Sequence, residues 1–109
     1  MNNKEKETMQ FPKGLHIYHY NRKGQRVGVF AATETQSLKG YYSIGWSLCN
    51  VNTGDVFDKN LAKKIAYDRA IALSGAALPI SMLDSYLQFN KIAAKYFKDK
   101  KFIGNVFTN

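Results

Sequence analysis

Tyr41-Tyr42-Ser43-Ile44-Gly45-Trp46-Ser47-Leu48-Cys49 alternates large apolar residues with small or polar ones. Tyr42, Ile44, Trp46 and Leu48 fall on one side of an extended chain, Ser43, Gly45 and Ser47 on the other, and this period of two is that of a half-buried strand. Downstream, Asn52-Thr53-Gly54-Asp55 has the composition of a turn, and Asp58 is a natural N-cap for a helix opening Lys59-Asn60-Leu61-Ala62-Lys63-Lys64. Strand, turn and helix are contiguous. The first helix is therefore expected to cover the face of Tyr42, Ile44, Trp46 and Leu48, leaving Trp46 largely buried.

Upstream of that strand, Leu15 to Tyr20 is rich in β-forming residues and leads into Asn21-Arg22-Lys23-Gly24, which suits a type I turn with Gly24 in the left-handed position. Arg26 to Ala32 returns as a second strand, and Thr33 to Gly40 is a polar connection into the third. An antiparallel three-stranded meander results. Residues 1–10 alternate lysine with glutamate and have no apolar period, so they are expected to form a flexible arm, with residues 11–109 making a single domain.

Downstream, a helix over about Lys59 to Leu73 gathers Leu61, Ala62, Ile65, Ala66, Ala72 and Leu73 on one side. Lys59, Lys63 and Tyr67 fall together away from it, with Lys64 at their flank. Arg69 lies near the middle of the apolar side. Either its stem packs while its head reaches water or a carboxylate, or its guanidinium is buried and paired at the helix–sheet seam. Ser74-Gly75 stops this helix, and Ser81 with Asp84 makes a weak capping-box match for a second, from Met82 to about Lys98. That helix carries an apolar face of Leu83, Tyr86, Leu87, Ala93, Ala94 and Phe97 beside a basic stripe of Lys91, Lys95 and Lys98. The tail from Phe102 to Phe107 has two readings: a short edge strand, or aromatics tucked against the core.

Length and composition bound the function. A chain of 109 residues with 45% hydrophobic content can bury one core. No run is long and apolar enough for a membrane span or secretory segment, so a soluble cytoplasmic protein is expected. One cysteine and two histidines are too few for a disulfide framework or a four-ligand zinc site. Sixteen Lys+Arg against eight Asp+Glu give a net charge of +8, enough to attract phosphate backbones or acidic proteins.

Groups for catalysis are sparse. His16 and His19 are three apart in a strand, so they point to opposite faces and do not chelate one metal together. Asp55 and Asp58 could share a magnesium ion, but turn formation and N-capping account for both. No glycine-rich phosphate loop or nucleophile elbow is present. The reading is therefore of a binding protein without enzymatic activity, metal or cofactor. Lys59, Lys63 and Lys64 at a helix start suit phosphate, aided by exposed N–H groups and the helix dipole. Tyr18, Tyr20 and Tyr41 are expected on an outer sheet face where bases could stack.

Ile44-Gly45-Trp46-Ser47-Leu48-Cys49, followed by Asp55, Phe57, Lys59, Ile65-Ala66 and Arg69-Ala70, resembles a pattern in small, mostly uncharacterised bacteriophage proteins. The resemblance covers about Ile44 to Ala70 and implies a phage accessory protein acting in the host bacterial cytoplasm, without catalytic residues. A weaker likeness, through three strands before a lysine-rich helix start at Lys59, Lys63 and Lys64, is to double-stranded RNA-binding domains. It is an analogy of surface.

Together these features predict an α+β domain, with a three-stranded antiparallel sheet packed on one face by two C-terminal helices. The leading function is nucleic-acid binding by a lysine-rich helical surface comprising Lys59, Lys63, Lys64 and Tyr67, joined by Lys91, Lys95 and Lys98. The alternative is a phage-encoded modulator or inhibitor, a host-takeover protein that binds an acidic host protein. The small-residue face of the sheet would then be a contact surface or a homodimer seam.

Overall fold

A computed structural model describes residues 14–35, 38–49, 54, 56–72 and 78–104. The expected arm at residues 1–10, most of the Asn52–Asp55 turn, the Ser74-Gly75 stop and residues 105–109 lie outside the described residues. Strands β1 (His16–Arg22), β2 (Gln25–Glu34) and β3 (Tyr41–Leu48) form the antiparallel meander. Helix α1 is Lys59–Ala72, and a 3-10 turn at Ile80–Met82 runs directly into helix α2, Leu83–Tyr96.

The sheet has a fourth strand, β4 (Lys101–Phe102), so its order is β1-β2-β3-β4 and its character mixed. β4 runs parallel to β3, with Lys101 N–H donating to Gly40 O and Ile103 N–H to Tyr42 O, each at 2.9 Å. Of the two readings of the tail, its described start is the edge strand, and Phe102 also packs on Tyr42, ring centroids 5.5 Å apart.

The hairpin joining β1 to β2 is tighter than expected. Arg22 pairs with Gln25, leaving a two-residue loop in which Lys23 and Gly24 both have positive φ, 52° and 81°. That is the twist-matched primed turn rather than type I, and glycine meets its demand without steric cost. A register shift between Tyr20 and Asn21 skips Val27, which joins the Phe30 side of the sheet.

The main correction concerns the helices, which lie on opposite faces. Val29 and Ala31 pack with Ala62 and Ala66 of α1, whereas Phe30, Ala32 and Tyr42 pack with Tyr86, Phe89 and Ala93 of α2. Adjacent strand residues point opposite ways, so these clusters are separated by the sheet. α1 covers Ser43, Gly45 and Ser47, the face expected to be open to a partner or a second copy.

The reason lies in residue size. Every fourth residue along α1 is alanine at Ala62, Ala66 and Ala70, all buried, and every second residue along β3 is small at Ser43, Gly45 and Ser47. Four helical residues rise about 6 Å and two strand residues about 6.7 Å, so the two rows stay in step. Ser47 Oγ donates to Ala62 O at 2.8 Å and Ser43 Oγ to Ala70 O at 2.7 Å, clamping both ends. Between them, a Cβ at Gly45 would overlap the Ala66 carbonyl and lie 2.5 Å from Ala70 N. Helix backbone rests directly on strand backbone.

α2 stands on rings instead. Phe30 meets Tyr20 and Tyr86 edge-on, at 6.2 and 6.0 Å, and stacks with Phe89 at 5.8 Å. Tyr42 stacks on Phe97 at 5.0 Å and donates its hydroxyl to Asn90 Oδ1 at 2.9 Å. Burial pushes the Tyr42 phenol up, and burial beside Tyr42 pushes that of Tyr86 up to about 12. Trp46 belongs to this side, half-buried at the margin of the α2 core rather than beneath α1. The Ser81–Asp84 capping box is not formed: α2 begins after Met82 without a side-chain cap, and Ser81 O accepts the Tyr20 hydroxyl at 3.0 Å.

The backbone contact makes a sharp prediction. Gly45→Ala should destabilise the domain by about 3 kcal/mol, at or above the usual cost of overpacking, because backbone atoms block the new methyl. Ser47→Ala should cost only about 1 kcal/mol, since the Ala62 carbonyl keeps its helical partner, and Ser43→Ala about 2 kcal/mol, since the buried Ala70 carbonyl lies in the last turn of α1 and has no donor within the helix to fall back on. Urea denaturation midpoints measure all three.

Candidate functional site

α1 is held on its alanine row, which fixes where its other side chains emerge. At about 100° per residue, Lys59, Lys63 and Tyr67 leave on the flank toward β1, and Ile65 and Arg69 on the flank toward the outer edge of β3. Leu61, expected inside, is 52% exposed, because the row of small residues occupies the seam in its place. Leu73, counted on the same side, lies outside the described residues.

The β1 flank gathers positive charge. His19 shares the α1 side of β1 with Ile17, opposite Val29. Burial first, then the charges of Arg26, Lys59 and Lys63, hold its imidazole below the ordinary value of 6.5. Its Nδ1 is buried, with no hydrogen-bond partner among the described residues. Arg26 on β2 and two lysines on α1 thus act on one point of β1. Lys59 and Arg26 are exposed, while Lys63 and Tyr67 are half-buried.

The start of α1 is not open to an anion in the way its sequence suggests. Asp58 Oδ1 accepts from Asn60 N–H at 3.0 Å and Leu61 N–H at 3.1 Å, and Ala62 N–H donates to Asp58 O at 2.9 Å. This is the expected N-cap, and it occupies the very donors that phosphate would have used. Attraction at this end of the helix therefore rests on side-chain charge.

The remaining candidates are dispersed. Lys64 leaves the solvent side of α1 and pairs with Asp68 at 3.0 Å, so it does not extend the cluster. Lys91, Lys95 and Lys98 are exposed, but α2 carries them on the other side of the sheet, so they make no single surface with Lys59 and Lys63. The tyrosines share no open face, because both faces carry helices. Tyr20 is buried, Tyr41 is half-buried at the β4 pairing, and Tyr18 alone of the three is exposed, one side of its ring stacked on Phe89 at 5.5 Å.

Arg69 finds a backbone partner. Its Nη1 donates to Trp46 O at 2.8 Å, and its guanidinium carbon stands 4.3 Å from the Trp46 ring centroid. β4 pairs with β3 only at Tyr41 and Tyr42, so Arg69 reaches around the sheet from α1 to a carbonyl further along that edge. Burial lowers its pKa from the ordinary value. Beside it, Arg22, Trp46, Leu48, Ile65 and Pro79 are among the residues lining a hollow of about 420 Å³. An adjoining hollow of about 310 Å³, lined by Phe57, Leu61 and others, shares Ser47, Leu48, Cys49 and Ile65 with it.

Among the described residues, no group of three or more His, Cys, Asp or Glu side chains is placed to hold a metal ion, and no helix is long and apolar enough to cross a membrane. Comparison of the chain with protein-family models, curated proteins and solved structures returned no match.

Sequence reasoning weighed His19 only as a metal ligand and Arg26 only as the start of a strand, and grouped neither with the lysines of α1. Their signal was the alternation of Leu15, Ile17 and His19, which sets His19 on the side of β1 that α1 covers. Because the unfolded chain protonates His19 more readily than the folded one, stability should fall as pH drops through 6.5, until the native imidazole also titrates. His19→Gln should remove this part of the dependence, read from urea midpoints between about pH 8 and about pH 5. Asp58→Ala should cost about 1 kcal/mol, read from the same midpoints, through loss of the N-cap.

Proposed function

We propose that the protein binds nucleic acid through its sugar–phosphate backbone, using the cationic surface where Arg26 of β2 meets Lys59 and Lys63 of α1. The observation that carries this reading is the convergence of those three charges on His19, with no described carboxylate among the groups acting on it. A net charge of +8 would draw a polyanion toward the surface from a distance. With Tyr20 buried and Tyr41 half-buried, Tyr18 has no open neighbour among the candidate tyrosines to extend a stacking platform, so contact is to phosphate and is tolerant of sequence. The protein acts by binding and not by catalysis. On the resemblance of its middle third to bacteriophage accessory proteins, the setting is the cytoplasm of a bacterial host.

The reading separates lysines that sequence alone grouped together. Retention of duplex DNA should weaken with salt at a slope of about 0.9 per phosphate neutralised. Lys59→Glu or Lys63→Glu should lower both affinity and slope. Lys64→Glu, on the solvent side of α1, and Lys91→Glu with Lys95→Glu, across the sheet, should change neither. Phosphate beside His19 should also raise the titration midpoint of its imidazole, followed by NMR with and without an oligonucleotide. Failure to retain single-stranded or duplex DNA or RNA at low salt would contradict the reading.

A further inference from the structure

Arg22 and Arg69 arrive from opposite sides of the sheet, one from the end of β1 and one from α1, yet they line the same hollow beside the end of β3. Arg22 Nη2 donates to Ser81 Oγ at 3.2 Å and Arg69 Nη1 to Trp46 O at 2.8 Å. A guanidinium carries five N–H donors, and neither arginine pairs with a carboxylate among the described residues. Trp46, Leu48, Ile65 and Pro79 supply apolar walls. The neighbouring hollow is more apolar in character, lined by Leu48, Phe57, Leu61 and Ile65, with Asp58 engaged in capping α1.

We propose that these joined hollows bind an extended peptide segment of a partner protein, with a carboxylate side chain between Arg22 and Arg69 and an aliphatic side chain two positions away in the Phe57–Leu61 hollow. Charge complementarity selects the occupant: two arginines lining one hollow, Arg69 half-buried and Arg22 at the rim, with no carboxylate paired to either among the described residues, favour a planar carboxylate, which a guanidinium can grip through paired N–H groups. Length selects an extended chain. Alternate side chains on one face of a strand are about 6.7 Å apart, which suits neighbouring hollows sharing Ser47, Leu48, Cys49 and Ile65. This site lies on the β3-edge flank of α1, away from the His19 cluster, and does not depend on nucleic-acid binding.

The chain carries its own reporters, since its one tryptophan, Trp46, and its one cysteine, Cys49, both line the hollow. The probe is an acetylated, amidated peptide with a central aspartate and a valine two residues away on each side, in a glycine–serine background. It should shift Trp46 emission and slow alkylation of Cys49 by iodoacetamide. The same peptide with asparagine for aspartate should bind about tenfold more weakly, the difference expected for charge-assisted hydrogen bonds. Arg22→Gln, on the rim, should abolish that preference without unfolding the domain, and Arg69→Gln should do so if it folds. Equal binding of the two peptides, or no binding of either, would overturn the proposal. So would protection of Cys49 by octanoate or an oligonucleotide where the aspartate peptide gives none.

Discussion

Direct contact between the backbones of α1 and β3 is the constraint on which the other features depend. Gly45 lets the Ala66–Ala70 turn of α1 settle onto the strand, and Ser43 and Ser47 hold it by hydrogen bonds to Ala70 and Ala62. A close-packed seam of small residues offers little adjustable volume, so both the rotation and the height of the helix are set. Lys59 and Lys63 then have to leave toward β1, where Arg26 and His19 are, and Ile65 and Arg69 toward the outer edge of β3. Both candidate surfaces are consequences of one seam.

The two faces of the sheet are stabilised differently. Beneath α1 the contribution is close backbone approach and buried hydroxyl donors; beneath α2 it is aromatic area, with Phe30, Tyr42, Tyr86 and Phe89 each buried. The bulk of those rings is also why the large face of β3 belongs to α2. Trp46 sits at the rim of that aromatic core, where Arg69 donates to its carbonyl and stands 4.3 Å from its ring centroid.

Much of this was legible in the chain. Alternation from Tyr42 to Leu48 marked β3, Asp58 marked the start of α1, and the mismatch of Arg69 with its apolar neighbours raised a paired guanidinium as one of two readings. The assignment of faces was not legible, because hydrophobicity was read as the mark of burial and Ser43, Gly45 and Ser47 looked like a surface. Their match to Ala62, Ala66 and Ala70 depends on size and spacing rather than on hydrophobicity. The tyrosines misled for a related reason: a strand residue away from one helix is exposed only if no second helix covers it, and α2 covers Tyr20. The basic candidates were grouped by composition, whereas Lys91 and Lys95 are separated from Lys63 by the thickness of the sheet. His19 and Arg26 were not grouped with Lys59 and Lys63 because their proximity to α1 is a long-range product of the same seam.

The claim that α1 rests on the small-residue face of β3 is tested most directly by nuclear Overhauser effects from the α-protons of Gly45. The account predicts strong cross-peaks to protons of Ala66 and Ala70, while the rings of Phe89 and Tyr86 show theirs to Phe30 across the opposite face. Cross-peaks from Gly45 to Phe89 or Ala93, or from Phe30 to Ala66, would mean that the helices cover other faces than these. Both surfaces derived from the placement of α1 would then fall with it.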